Sequence, residues 1–387
     1  MNVLVAQSGG PTPVINSTLY GVVKEAVDRK KINKVYGSIN GMEGILNNDL
    51  IELNCFTNQL NTIKHQPGAF LSGSRYQLTE DDLQTIVTRL DELHIDVLFY
   101  IGGNGSAVTI TNIDEICQDR NFDIQCIFVP KTIDNDIEGT DHTPGYISAS
   151  IALDRILSGI ELDFQSLRSR NQIEIVEVMG GNSGWLMAAG AARKRKFPIL
   201  AYLPEKEWEM QQILEDVEKT TVRHQSAILL IPDHMKIKHL QSEINKNNPR
   251  NKYNGGISYK IANVIQQHIA IKTKITIPSS IYTCSNGALL DLEEAELIGR
   301  EAVTIALAGE TGKMVGVERV NHDPYKINIK PVQLSRVCGE ERVLPSHYWD
   351  DVKQLPTLAF QEYIHPFIDL NASSKSIKLY DLMQLKS

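Results

Sequence analysis

The chain reads as an α/β protein with mostly parallel sheets, and three observations say so. Short apolar runs recur, they end in glycines, and a helix-like stretch follows each glycine turn. Residues 3–6 lead into Gly9-Gly10-Pro11 and an amphipathic run over 16–27. Residues 95–101 lead into Gly102-Gly103-Asn104-Gly105-Ser106, and residues 173–179 into Gly180-Gly181 and a helical stretch over 183–192. Further strand candidates are 124–129, 199–203, 227–231 and 314–317. In such folds ligands bind beyond the carboxyl ends of the strands, so the glycine loops are expected to converge on one cleft.

Composition narrows the class. At 387 residues the chain is too long for one small core, and two domains are expected. Hydrophobic content of 42% with 22% charged residues fits a soluble globular protein. A net charge of −8 leaves no basic footprint for nucleic acid. The five cysteines (Cys55, Cys117, Cys126, Cys284, Cys338) form no CxxC pair, which fits a reducing cytoplasm. No signal-peptide pattern and no apolar window of membrane-spanning length is present, so neither export nor a membrane partner is expected.

The most informative stretch is Pro130-Lys131-Thr132-Ile133-Asp134-Asn135-Asp136, directly after the apolar run 124–129. Two carboxylates two residues apart suit a divalent cation, or one metal ligand beside one general base. Lys131 and Thr132 add a cation and a hydroxyl, which suit phosphate oxygens. These are the parts that phosphoryl transfer needs. A calcium loop is excluded, because Gly145 stands where a bidentate glutamate would be required. Helix capping followed by a turn is the plainer alternative for the carboxylates.

Gly102 to Ser106 and Ser8-Gly9-Gly10-Pro11 are phosphate cradles or simply tight turns. There is no GxxxxGK[ST] and no full GxGxxG, so neither a P-loop nor a dinucleotide fingerprint is present. Arg75 ends a flexible Gly/Ser stretch from residue 68. Arg193-Lys194-Arg195-Lys196 closes an apolar helix and reads either as cations on a helix C-terminus or as a ligand patch. Asp233-His234 follows the run 227–231 and reads as a polar pair.

Taken together, SGGPTPVIN, GAFLSGSR, GGNGS, PKTIDND and EVMGG followed by GW resemble the phosphofructokinase family over most of residues 1–320. The resemblance implies two Rossmann-like domains plus a C-terminal extension. A donor domain is expected over 1–141 with about 284–333, and an acceptor domain over 142–283 with about 334–387. It further implies Mg²⁺-dependent transfer from ATP or pyrophosphate to the 1-hydroxyl of fructose 6-phosphate, as in glycolysis, by a cytoplasmic homodimer or homotetramer. Asp134 then matches the catalytic base, Thr132 the hydroxyl bridging phosphate and acceptor, and Asp136, beside Asn104, the metal site. Gly10, Arg75 and Gly103, Asn104, Gly105 and Ser106 match donor contacts. Met179, Gly180, Gly181, Asp233 and Lys274 match acceptor contacts.

Departures from the family pattern bear on specificity. Gly105 leaves room for ATP, whereas Lys131 is typical of pyrophosphate enzymes. Asn104 replaces an aspartate. Gly181, Gln172 and the pair Tyr282-Thr283 stand where arginines grip the 6-phosphate, with Lys274 at one further arginine position. Each lost contact of that kind costs about 1.5–3 kcal/mol. Fructose 6-phosphate binding is therefore expected to weaken unless Lys274, Arg168 or Arg170 compensates, and a different sugar or polyol acceptor fits the same erosion. A non-catalytic binding protein would have no need to retain Thr132, Asp134 and Asp136.

Overall fold

The computed structural model describes residues 1–74, 76–166, 171–238, 256–339 and 341–369. In chain order it runs β1 (Asn2–Gln7), α1 (Ile15–Asp28), β2 (Lys34–Ser38), α2 (Met42–Asn47), β3 (Leu50–Glu52), α3 (Thr57–Ile63), α4 (Glu80–Glu92), β4 (Val97–Gly102), α5 (Asn104–Asp119) and β5 (Gln125–Pro130). Next come α6 (Tyr146–Ser166), β6 (Gln172–Val178), α7 (Trp185–Ala192), β7 (Ile199–Ala201), β8 (Glu207–Trp208), α8 (Met210–His224), β9 (Ser226–Pro232) and β10 (Lys236–Ile237). The chain closes with α9 (Ile257–Ile269), β11 (Lys272–Thr276), α10 (Ser280–Cys284), α11 (Leu289–Leu307), β12 (Lys313–His322), β13 (Tyr325–Gln333), β14 (Trp349–Asp350), β15 (Leu355–Pro356) and α12 (Leu358–Ile364).

Two compact units result: Met1–Ser150 with Ser279–Leu344, and Ile151–Pro278 with Pro345–Ser387. The first holds a seven-stranded sheet in the order β13-β12-β5-β4-β1-β2-β3. Its five inner strands are parallel, and the edge strands β13 and β3 are antiparallel. Strand periodicity divides the core. Val3 and Val5 face α1 and α11, while Leu4 and Ala6 face α4 and α5. The second unit holds a parallel sheet in the order β11-β6-β9-β7. Residues of α8 and α9 pack on its strands. The helix α7 is apolar all round and buried throughout. Its Trp185 sits among Tyr348, Phe360 and Tyr363 at centroid distances of 5.7, 6.3 and 5.4 Å.

Each of the seven strand candidates appears as a strand, with shifted ends. The run 314–317 is only the inner part of the ten-residue β12. Its partner β13 is not among the candidates, although Tyr325, Ile327 and Ile329 alternate with exposed lysines and an asparagine, the period-2 pattern of a half-exposed strand. The expected helix over 183–192 begins at Trp185, because the amide of Ser183 closes a turn onto the carbonyl of Gly180. The region beyond 340 supplies α12 and its aromatic residues.

Helices α1 and α11 cross in near-backbone contact. A Cβ on Gly21 would lie 2.1 Å from the carbonyl oxygen of Glu296, and one on Gly299 would lie 2.3 Å from that of Thr18. Gly299→Ala is expected to destabilise the protein by about 1–3 kcal/mol, the usual cost of overpacking. Chemical unfolding of the variant against the parent checks it, and an unchanged midpoint would refute the close crossing.

Candidate functional site

The carboxyl ends of β1, β4 and β5 lie side by side in the first unit, and each carries one piece of the candidate site. After β1 comes Ser8-Gly9-Gly10. After β4, Gly103 precedes α5, whose first turn holds Asn104, Gly105 and Ser106. First-turn amides of a 16-residue helix have no acceptor within it and draw anions. After β5 comes the loop from Lys131 to Gly145.

Lys131 ties these pieces together. It is 2% exposed, and its Nζ donates to the carbonyl of Gly10 at 2.8 Å. Its own amide donates to the carbonyl of Gly102 at 2.8 Å. A Cβ on Gly9 would stand 3.2 Å from Nζ, at a residue with φ of 73°. Burial pulls the Lys131 ammonium down to about 8, and the charges of Asp134 and Asp136 oppose that fall. Beneath the loops Tyr100 Oη donates to Ser8 Oγ at 2.8 Å, and Ser106 Oγ donates to the same atom at 3.0 Å.

The carboxylate loop is held from behind. Asn135 is fully buried with φ of 57°, a conformation asparagine tolerates. Its Oδ1 accepts from the Thr143 amide at 3.0 Å. Thr143 Oγ1 donates to the carbonyl of Thr132 at 2.9 Å, and the Thr132 amide to that of Pro144 at 3.1 Å. The Asp134 amide donates to Thr132 Oγ1 at 3.1 Å. Helix α11 then fixes the 142–148 segment. Buried Asp291 accepts from the amides of Gly145 and Ser148 and from Ser148 Oγ. Glu294 accepts a bond from His142 at 2.7 Å, and Asp141 holds the other ring nitrogen at 2.8 Å. Burial opposes charge on His142, but these two carboxylates outweigh it and raise the imidazole to about 9. Arg319 and Tyr325 complete the network on Asp141 and Glu294.

Asp136 and Asn104 are in contact. Asn104 Nδ2 donates to Asp136 Oδ2 at 2.7 Å and to its carbonyl at 2.9 Å. Asp136 Oδ1 is buried with no hydrogen-bond partner. Burial raises this carboxyl, with the Asn104 bond offsetting part of the rise. An orphaned carboxylate oxygen beside an amide fits a hard cation that draws its other ligands from donor phosphates and water. Among the described residues no cluster of three or more His, Cys, Asp or Glu could hold a metal unaided. Arg75 lies outside the described residues. Its preceding segment is anchored, since Asn16 and Gln7 accept from the amides of Phe70 and Leu71 and Ser74 bonds to Glu43.

In the second unit the carboxyl ends of β6 and β9 gather Met179, Gly180, Gly181 and Asp233, whose amide donates to the carbonyl of Val178 at 3.0 Å. Asp233 Oδ1 lies 3.0 Å from His234 Nδ1. Sequence reasoning missed Glu177 and Ser258 here. Ser258 Oγ donates to Glu177 Oε2 at 2.6 Å, and burial raises that carboxyl. A glutamate within the EVMGG run was the available signal. Lys274 and Gln172 do not join this group. Lys274 pairs with Glu174 across the strands, five residues before Met179, about 16 Å at strand rise. Its Nζ is held by Asp163 at 2.5 Å. Gln172 begins β6 and is fully buried with both amide atoms unpartnered. Gly181 sits at φ of 60°, where an arginine would be strained. Tyr282 is fully buried. Arg168 and Arg170 lie outside the described residues.

Fold and site define an α/β phosphotransferase acting on an alcohol group. The chain belongs to the phosphofructokinase family, whose profile, described as Phosphofructokinase, matches residues 2–306. It is 30% identical to the sulfofructose kinase of Alkalicoccus urumqiensis, over 96% of each chain. It is also 30% identical to the pyrophosphate–fructose 6-phosphate 1-phosphotransferase of Rhodospirillum rubrum, over 95% of this chain and 94% of the other. The crystal structure of a pyrophosphate-dependent phosphofructokinase from Marinobacter aquaeolei superposes with a TM-score of 0.85 at 27% identity, covering 95% of this chain and 91% of that one. No described helix is long and apolar enough to cross a membrane.

Asp134→Asn is expected to lower kcat by about 10²–10⁴-fold, the scale of a positioned general base, with thermal stability and donor affinity nearly unchanged. Steady-state kinetics beside donor titration decide it, and near-normal turnover would remove Asp134 from that role. A second expectation concerns pH. Because the folded imidazole of His142 stands above its ordinary value of 6.5, its stabilisation is complete below about 6.5 and is lost as pH rises through about 9. The melting temperature should fall over that window, and His142→Gln should flatten the slope. Parallel curves for parent and variant would contradict a charged His142.

Proposed function

We propose that the chain transfers the terminal phosphoryl group of ATP, with Mg²⁺, to the 1-hydroxyl of a fructose derivative whose C6 group carries less charge than a phosphate. The observation that carries the transfer chemistry is Lys131, buried between the two glycine loops with its Nζ on Gly10 and its neighbours Asp134 and Asp136 on the same loop. Asp134 accepts the proton of the attacking hydroxyl. Lys131 and the first-turn amides of α5 offset charge on the transferred group and hold it in line. Asp136 and Asn104 would hold Mg²⁺, which when bound neutralises donor phosphate charge. Arg75, by family resemblance, assists on the donor.

The donor reading rests on Gly105, where a Cβ would meet nothing within 4 Å, open ground that suits a donor larger than pyrophosphate. Pyrophosphate is the second reading, favoured by Lys131. Met179, Gly180, Gly181 and Asp233 serve the sugar. The acceptor reading rests on the phosphate grip. Lys274 is engaged by Asp163, Tyr282 is buried, and Gly181 occupies a backbone conformation hostile to arginine. A sulfonate is a monoanion at neutral pH, whereas a phosphate monoester approaches a dianion, so fewer cations suffice. The similarity to a sulfofructose kinase supports the same reading. Fructose 6-phosphate is the second acceptor reading, supported by the Rhodospirillum relative. A cytoplasmic homodimer or homotetramer completes the proposal.

The test is a transfer assay on the purified protein with Mg²⁺. ATP or pyrophosphate is paired with sulfofructose, fructose 6-phosphate or fructose, and products are identified by mass. ATP with sulfofructose is expected to exceed ATP with fructose 6-phosphate by about tenfold or more in kcat/KM, one lost phosphate contact's worth. A preference for fructose 6-phosphate would overturn the acceptor assignment, and turnover with pyrophosphate alone would overturn the donor.

A further inference from the structure

Three hydroxyls meet where the two glycine loops of the first unit adjoin. Tyr100 lies in β4 and Ser106 in the first turn of α5, and they are 4% and 5% exposed. Ser8, the residue after β1, is half-buried. Its amide donates to the carbonyl of Ile101 at 2.8 Å, and a Cβ on Gly102 would stand 3.4 Å from the Ser8 Cβ. Ser8 therefore lies against the end of β4. It opens the loop whose Gly10 carbonyl takes the Lys131 ammonium.

Counting protons defines what Ser8 can do. A hydroxyl holds one proton and two lone pairs. Tyr100 Oη and Ser106 Oγ both donate to Ser8 Oγ, at 2.8 and 3.0 Å. Buried donors are nearly always satisfied, and Ser8 is the acceptor that satisfies these two. The two incoming bonds fill both lone pairs of Ser8. Its own proton has no acceptor among the described residues, and it cannot return to an oxygen that donates to it. Accepting two bonds also makes Ser8 a stronger donor. The result is an oriented, unspent O–H between the loops that carry Gly10 and Gly103. Those loops already offer an ammonium and the first-turn amides of α5, so the missing acceptor is an anionic oxygen.

Resting on the phosphotransfer reading above, we propose that Ser8 is a donor-binding residue. Its hydroxyl donates to an oxygen of a phosphate that ATP and pyrophosphate share. Tyr100 is a positioning residue, which acts by holding the Ser8 hydroxyl in that orientation.

The experiment titrates the intact protein with MgATP and with magnesium pyrophosphate, without acceptor, by calorimetry. Ser8→Ala is expected to raise Kd about tenfold or more for each donor the parent binds, the scale of a hydrogen bond to a charged group. Tyr100→Phe keeps the ring and removes the hydroxyl, so it should raise Kd less, by about threefold. In the Ser8→Ala background Tyr100→Phe should add nothing, because Tyr100 acts through Ser8. A parent that binds neither donor would sink the transfer reading and this inference with it. A parent that binds, with Ser8→Ala binding equally well, would leave that reading standing and overturn the Ser8 contact. Equal losses from Tyr100→Phe and Ser8→Ala would reduce Ser8 to a packing partner and overturn it too. So would a loss confined to ATP in a parent that binds both donors, since the contact would then lie off the shared phosphates.

Discussion

A buried ammonium organises the first unit. Removing Lys131 from water is costly, and the carbonyl of Gly10 and the two nearby carboxylates offset that cost. The arrangement dictates much around it. Residue 9 must present no side chain, because a Cβ would press on Nζ. The carboxylate loop must turn back within a few residues of β5 so that Asp134 and Asp136 stay within Coulombic reach. The two glycine loops are thereby tied to one residue, the Gly10 carbonyl by its ammonium and the Gly102 carbonyl by its backbone amide.

That assembly is stiffened from a remote part of the chain. Asp291 and Glu294, on consecutive turns of α11, take up the amides of Gly145 and Ser148 and the ring of His142. A charged imidazole between buried Glu294 and half-buried Asp141, with Arg319 and Tyr325 on those carboxylates, satisfies groups that burial alone would penalise. The near-contact of α1 and α11 at Gly21 and Gly299 sets the depth at which α11 lies and hence where these carboxylates reach. Preorganisation of Asp134 thus rests on helix packing as much as on its own loop.

The second unit carries its polar groups at the ends of its strands. Gly180 and Gly181 turn the chain after β6, Gly181 in a left-handed conformation, and Asp233 follows the carboxyl end of β9. Lys274, on β11, is bound to Asp163. Beyond the C-terminal end of α7, Arg193 and Arg195 are paired with Asp154 and Glu161, so the arginines of the basic run there are neutralised within the unit.

The parallel α/β architecture and the two glycine loops were legible in the sequence, because apolar periodicity and glycine placement are local properties. The sequence also marked Asp136 and Asn104 as neighbours through resemblance. The strand β13 was also legible, since its Tyr325, Ile327 and Ile329 alternate with polar residues, but the run is short of apolar residues and is not among the candidates. Glu177 with Ser258 and the His142 network were illegible for a physical reason. They depend on groups brought together from 31 to 178 positions apart, and which buried donor meets which acceptor is set by packing that no local pattern records.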